Sequence, residues 1–168
     1  MRKLTAYLIA LASVLPLPLM AQAQSLRFAT DNQAPLMLEA GEMIWQRQAA
    51  QAQLRDKARL HQGPLDLSAD RLEIKFAADG TAQLIRAEGQ VALHSRGDNE
   101  SAPRRATADR AVVNLAEETI LLNGNVVMHA EGDDTAQLSG GQLALDMVSG
   151  RARLSGSADK PRARIELR

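Results

Sequence analysis

The feature that most constrains this chain is a repeat whose internal period is two. Four segments read alike: Leu36-Met-Leu-Glu-Ala40-Gly-Glu-Met43-Ile-Trp45, Leu65-Asp-Leu-Ser-Ala69-Asp-Arg-Leu72-Glu-Ile74, Arg104-Arg-Ala-Thr-Ala108-Asp-Arg-Ala111-Val-Val113 and Ala136-Gln-Leu-Ser-Gly140-Gly-Gln-Leu143-Ala-Leu145. Each is followed by a second piece: Leu54 to Leu60, Ala87 to Leu93, Leu122 to Met128 and Leu154 to Ala158. From Ala40 to Asp56, Ala69 to Gly89, Ala108 to Gly124 and Gly140 to Gly156 the spacings are 16, 20, 16 and 16 residues. The longer second unit carries Ala77-Ala-Asp-Gly-Thr81, which reads as a longer turn. Self-similarity at this scale means a series of like supersecondary units.

Inside each piece, apolar and polar residues alternate, as in half-buried strands. Leu54, Ala58 and Leu60, Ala87, Val91 and Leu93, and Leu122, Val126 and Met128 flank the central Asp or Gly on one parity. In the first pieces the parity slips at Ala-Asp: Leu65 and Leu67 precede it, Leu72 and Ile74 follow it. A bulge or bend there keeps both halves facing inward, and the inner Gly of each second piece serves the same bend or a close backbone approach. Asp79-Gly80, Glu117-Glu118 and Ser149-Gly150 lie where hairpin turns belong. Gln46 to Gln53 is rich in Ala and Gln and reads in isolation as a short helix, but the repeat register assigns it to a hairpin. Arg96 to Pro103 and Glu131 to Thr135 read as polar loops between units. The chain is therefore expected to be all-β, a regular meander of consecutive antiparallel hairpins.

The N-terminus has a different grammar. Arg2 and Lys3 precede an apolar run, Leu4 to Leu19, broken by Thr5, Ser13, Pro16 and Pro18, and Ala21-Gln22-Ala23 follows as a small-x-small cleavage site. This is the pattern of an export signal, and the run falls short of the ~20 residues that span a bilayer. Residues 1–23 are expected to be cleaved, 24–34 to be a flexible segment and 35–168 to form one β domain. Cleavage leaves 145 residues with 18 basic and 20 acidic side chains, a net charge of −2. The chain is therefore expected to be exported.

Composition closes off several functions. The chain has no Cys, which removes disulfide scaffolds, thiolate metal sites and Cys nucleophiles. A slightly acidic mature chain with Phe28, Trp45 and Phe76 as its only aromatics offers neither the basic excess nor the stacking platforms of a nucleic-acid binder. His61, His94 and His129 each follow the central Asp or Gly of a second piece by five residues. Equivalent positions in successive hairpins lie two strands apart, roughly 2 × 4.8 Å, too far for one metal with ligands at ~2 Å. Asp70 and Asp109 repeat in the same way and read as bend residues. No nucleophile elbow is present, and Gly140-Gly141 lacks the Lys and helix of a phosphate loop. Arg104-Arg105 reads as a solvated loop end. The sequence argues against an enzyme and calls for no cofactor or metal. Its inward faces are aliphatic, which suits either a closed sandwich core or a groove left open for lipid.

Three stretches carry a resemblance: Gln62-Gly63-Pro-Leu65-Asp-Leu67-Ser-Ala69-Asp70-Arg71-Leu72, Leu121-Leu122-Asn123-Gly124-Asn125-Val126 and Leu138-Ser-Gly140-Gly141-Gln-Leu143. With Gln33-Ala-Pro35-Leu36-Met-Leu38-Glu39 at the start, they resemble the LptA/OstA-like family of periplasmic lipopolysaccharide-transport bridge proteins over about residues 31 to 167. Unit one departs from the pattern, with Asp56-Lys57 where Gly-Asn is typical. The resemblance implies an open, twisted β-jellyroll that holds lipid A acyl chains in a hydrophobic interior. It implies head-to-tail stacking between an inner-membrane partner of the LptC type and an outer-membrane partner of the LptD type. The first strand (Leu36 to Ala40) and the last (Ala163 to Leu167) are the expected pairing edges. The expected interior lining is Leu36, Leu38, Met43, Trp45, Leu65, Leu67, Leu72, Ile74, Phe76, Val91, Leu93, Val113, Leu115, Leu122, Val126, Met128, Leu143 and Leu145. Two other classes are open to the same residues: a membrane-anchored LptC-like subunit, and an exported structural β-repeat such as a parallel β-helix. Unit starts 29, 39 and 32 residues apart fit a constant rung period poorly.

Overall fold

The computed structural model of the chain describes residues 31, 33–97, 103–130, 136–158 and 161–167. Residues 1–23, expected to be an export signal, most of the segment 24–34, residues 98–102 of the first polar loop and the whole of the second, 131–135, lie outside them. Alternating residues become ten strands: β1 (Leu36–Glu39), β2 (Glu42–Gln46), β3 (Gln51–Gln62), β4 (Leu65–Phe76), β5 (Ala82–Ser95), β6 (Arg104–Asn114), β7 (Thr119–Ala130), β8 (Ala136–Asp146), β9 (Ala152–Ser155) and β10 (Arg164–Leu167). All pairings are antiparallel, in the order β1-β3-β4-β5-β6-β7-β8-β10, with β2 also on β3 and β9 also on β8. The hairpin meander expected from the repeat is what forms, and antiparallel pairing throughout rules out a parallel β-helix. Gln46 to Gln53 is not a helix: residues 47–50 make a tight turn, closed by the Ala50 N–H on the Arg47 carbonyl at 3.2 Å, and β2 and β3 pair across it. The outermost strands at the two ends do not pair with each other, so the sheet stays open.

The short strands reveal the plan. β1 lies against the end of β3 (Arg59 to Gln62) and β2 against its start (Gln51 to Arg55), so together they act as one bent strand interrupted at Ala40 and Gly41. β9 and β10 likewise divide β8 between them. The sheet therefore has eight long strands, each creased at the same level. Register shifts fall between Arg55 and Ala58, Ser68 and Arg71, Glu88 and Val91, Thr107 and Arg110, and Asn123 and Val126. At each crease one strand carries one residue more than its partner, two against one or three against two, the count of a β-bulge. Two residues of the longer strand are left-handed: Asp56 and Lys57 (φ 61° and 56°), Gly89 and Gln90 (75° and 47°), Gly124 and Asn125 (77° and 45°).

Along β4 and β6 the crease resets parity, so that Ala69 and Leu72 both turn inward, as do Ala108 and Ala111; along β3, β5 and β7 the parity is kept across the two left-handed residues, as at Leu122 and Val126. The sheet thus folds along the crease into two half-sheets whose apolar faces meet. No helix occurs among the described residues, so each half-sheet is covered by the other. Leu54, Leu72, Ile74, Ile85, Leu93, Val113 and Met128 are fully buried between them. Small residues (Ala58, Ala69, Ala87, Ala108, Ala111) are buried beside the crease.

Hairpin ends are fixed by side-chain acceptors. Asp79 Oδ1 accepts from the Thr81 N–H (2.9 Å) and hydroxyl (2.6 Å), and Asp146 Oδ1 from the Ser149 N–H (2.7 Å). These bonds hold both carboxyls below the usual carboxylate range. Their contribution is complete at neutral pH and fades as acid carries them through those lowered values.

At Gly124 a Cβ would lie 2.8 Å from the Asp109 carboxyl carbon, with φ at +77°. Gly124→Ala should lower stability by ~1–3 kcal/mol. Lys57 sits left-handed without being Gly, so Lys57→Gly should raise stability by ~0.5–1 kcal/mol. Urea unfolding midpoints check both; a neutral Gly124→Ala or a destabilising Lys57→Gly contradicts the crease as described.

Candidate functional site

The inner faces of the two half-sheets form the one extended apolar surface that the repeat builds from end to end. Of the residues expected to line it, Leu65, Leu67, Leu72, Ile74, Val91, Leu93, Val113, Leu115, Leu122, Val126, Met128, Leu143 and Leu145 are buried in a single cluster. Leu36, Leu38 and Phe76 are half-buried against it. Met43 and Trp45 stand opposite Leu54 and Ala52, so they share the inner face, yet they are 46% and 54% exposed. The reason is position: β2 has a neighbour on one side only. Trp45 contacts the Phe76 ring at 4.9 Å between centroids, tilted by 52°. At the opposite end Ile165 on β10 faces inward opposite buried Leu138 and is 60% exposed. The apolar surface is therefore sealed in the middle and uncovered at both ends.

Sequence reasoning missed part of this lining. Leu54, Leu60, Ile85, Ile120 and Leu138 are as deeply buried as the residues it chose. Ile85 and Ile120 lie two residues before Ala87 and Leu122, so extending the parity outward finds them. It also named only β1 and β10 as edges, whereas β2 and β9 are edges of the other half-sheet.

The larger correction concerns Arg104. It is not a solvated loop end but the first residue of β6, in step with buried Ala106 and Ala108, and it is 3% exposed. Burial pushes its pKa down, though a guanidinium remains charged at neutral pH. It sits in register with Ser95 on one side and Ala130 on the other; Ser95 faces Leu65, and Leu65 faces Gln62. Ser95 is fully buried and Gln62 nearly so. The Gln62 amide donates to the Ala34 carbonyl at 3.2 Å, and the Ser95 hydroxyl accepts from the Gly97 N–H at 3.4 Å. Arg105, one residue on, turns outward and is exposed.

The outer faces carry the remaining titratable groups. His61, Asp66, His94, Arg105 and His129 form one outward row across β3 to β7. His61 Nδ1 lies 2.5 Å from Asp66 Oδ1, and Arg96 donates to the Gly63 carbonyl at 2.5 Å while its Nε stands 3.8 Å from Asp66. The three histidines thus occupy alternate strands, and among the described residues no three His, Cys, Asp or Glu are grouped to hold a metal ion. A pocket of about 440 Å³ opens on this side, lined by Met37, Arg59, His61, Asp66 and His94. Asp70 and Asp109 stand at the crease, as bend residues do: Asp70 beside Gly89, and Asp109 beside Gly124 accepting from Asn125 Nδ2 at 3.0 Å.

Comparison with known proteins fits this architecture. Residues 37–151 match the family described as the LptA/(LptD N-terminal domain) LPS transport protein. An uncharacterised protein of Rhizobium meliloti is 24% identical over 164 residues, covering 92% of this chain and 85% of that one. The crystal structure of LptH, the LptA-homologous periplasmic component of the lipopolysaccharide transport device of Pseudomonas aeruginosa, superposes with a TM-score of 0.70 at 14% identity. That likeness, which covers 83% of this chain and 97% of LptH, is one of fold. With an open sheet creased into two facing apolar halves and a family match over most of its strands, the chain belongs to the LptA/LptD N-terminal domain family of lipopolysaccharide transport proteins.

Proposed function

We propose that this protein is a periplasmic component of the lipopolysaccharide bridge between the inner and outer membranes, and that it shields lipid A acyl chains between its two half-sheets. The carrying observation is the inner face, predominantly apolar from β2 to β10 and uncovered at both ends, at Met43 and Trp45 and at Ile165. Each methylene withdrawn from water is worth ~0.8 kcal/mol, or about 8 kcal/mol for ten. An aliphatic trough therefore shields a lipid with no covalent chemistry.

The interior is filled by the protein's own side chains. Acyl chains gain room by parting the half-sheets about the crease, whose paired left-handed residues already break the hydrogen-bond ladder. Lipid then takes over the contacts that the facing half-sheet makes in the closed form, so opening exchanges one apolar partner for another.

Partners follow from the edges. β1 and β2 at one end, β9 and β10 at the other, present unpaired backbone groups beside exposed inner-face side chains. Such an edge accepts another strand, and continuing the sheet continues the trough. On this reading one end meets an LptC-like inner-membrane protein, the other an LptD-like outer-membrane protein, with further copies of the chain stacking head to tail between them. The N-terminal segment acts as a cleaved export signal.

A photo-crosslinking residue at Leu38, Ile74 or Val126 should capture lipopolysaccharide in cells, whereas one at outward-facing Thr107 should not. Absence of adducts at all three inner positions, or equal capture at Thr107, overturns the reading. The protein should also be recovered from the soluble periplasmic fraction without residues 1–23; retention in the membrane points instead to an anchored, LptC-like subunit.

A further inference from the structure

The two ends of the open sheet match each other in level and in charge. The row of paired residues that begins at Glu39 on β1 passes Arg59, Thr107 and Ser139 and ends at Arg164 on β10. The row beside it begins at Leu38 and ends at Ile165. In the other half-sheet one row runs from Met43 to Leu154 and another from Trp45 to Ala152. Strand direction alternates all the way across, so β10 and the β1 of a following copy run in opposite senses, as do β9 and the following β2. Charge divides the two ends. β1 and β2 carry Glu39 and Glu42 and no cation, whereas β9 and β10 carry Arg153 and Arg164 against Glu166, with Arg151 and Arg162 just before them.

We propose that a second copy of the chain joins the first at the same level, its β1 on β10 and its β2 on β9, in a register that these edge residues select. The inference rests on the head-to-tail stacking reading and adds the register to it. At that level all four residues of β1 face all four of β10, and Glu42 to Trp45 face all four of β9. On the outside Glu39 stands opposite Arg164, which in the single chain lies 3.4 Å from Glu166, and Glu42 lies diagonal to Arg153. On the inside Trp45 meets the small Ala152, Met43 meets Leu154, and Ile165 meets Leu38. That covers Met43, Trp45 and Ile165, the inner-face side chains left exposed in one copy. A slip of two residues one way sets Glu39 against Glu166 and Trp45 against Leu154, and like charges directly opposite are unfavourable. A slip the other way carries Leu38 and Glu39 past the start of β10 and Trp45 past the start of β9. Joining like ends brings an acidic edge to an acidic edge. It also sets the creases of two antiparallel β1 strands at opposite ends, so that β2 finds no partner. Charge pairs of this kind select partner and register more than they add affinity.

The chain has no cysteine, so engineered disulfides in the mature protein recovered from cells read the joint. Leu38→Cys with Ile165→Cys, and separately Met43→Cys with Leu154→Cys, should give a ladder of covalent multimers on oxidation. Leu36→Cys or Ala40→Cys with Ile165→Cys should not, because a partner two positions along the strand lies beyond the roughly 7 Å that a disulfide bridges. None of these cysteines alone should link two chains. Glu39→Arg should weaken self-association about fivefold at low salt in sedimentation, and adding Arg164→Glu should restore most of it. Glu39 and Arg164 are both exposed, so these changes spare the core. A ladder from an offset pair in place of the level pairs overturns the register and leaves stacking standing. Failure of Arg164→Glu to rescue Glu39→Arg overturns the charge pairing. A dimer through a single cysteine means that like ends join, and it overturns the head-to-tail polarity. No multimer from any pair overturns stacking between copies and this inference with it, while lipid capture at the inner face is decided separately.

Discussion

A wide sheet with one apolar face, and with no helix to cover it among the described residues, must cover itself. That constraint governs everything else in this structure. Eight long strands bury a common face only if each is creased at the same level and both arms keep their apolar side inward. On β4, β6 and β8 a plain bend would send one arm's apolar side chains into solvent, because side chains alternate strictly along a strand. The bulge at each crease supplies the residue that corrects the count. Packing, edges and an end-to-end apolar interior all descend from that correction.

Much of this was legible because the repeat wrote it several times. The parity slip at Ala69-Asp70 and at Ala108-Asp109 announced a crease before any coordinates did, and Asp79-Gly80, Glu117-Glu118 and Ser149-Gly150 marked turns that form where expected. Gln46 to Gln53 shows the limit of local composition: its helix-friendly residues are overruled by pairing with β3 and β4. Tertiary context decides such short stretches, since an isolated helix of this length is marginal in water.

What stayed hidden was positional. Alternation tells which face a side chain takes but not whether anything lies beyond it. Met43 and Trp45 have inward parity, like Leu72 and Ile74, yet they sit on the last strand of their half-sheet. Arg104 misled for the opposite reason. A charged pair after a polar stretch looks like a loop, and only its register with Ser95 and Ala130 shows that the strand has already begun. Residue type and position conflict there. The crease itself tolerates more sequence than its glycines suggest. Asp56-Lys57 adopts the same left-handed pair as Gly124-Asn125, so geometry imposed by neighbouring strands overrides a local preference worth about 1–2 kcal/mol per residue.

The placement of Trp45 has a practical side. It is the only tryptophan in the chain, and it stands at the uncovered end of the inner face against Phe76. Indole emission shifts to shorter wavelength as water leaves its surroundings. The protein therefore carries its own optical gauge of that threshold, one that registers whether water, an acyl chain or a neighbouring strand occupies it, with no label attached.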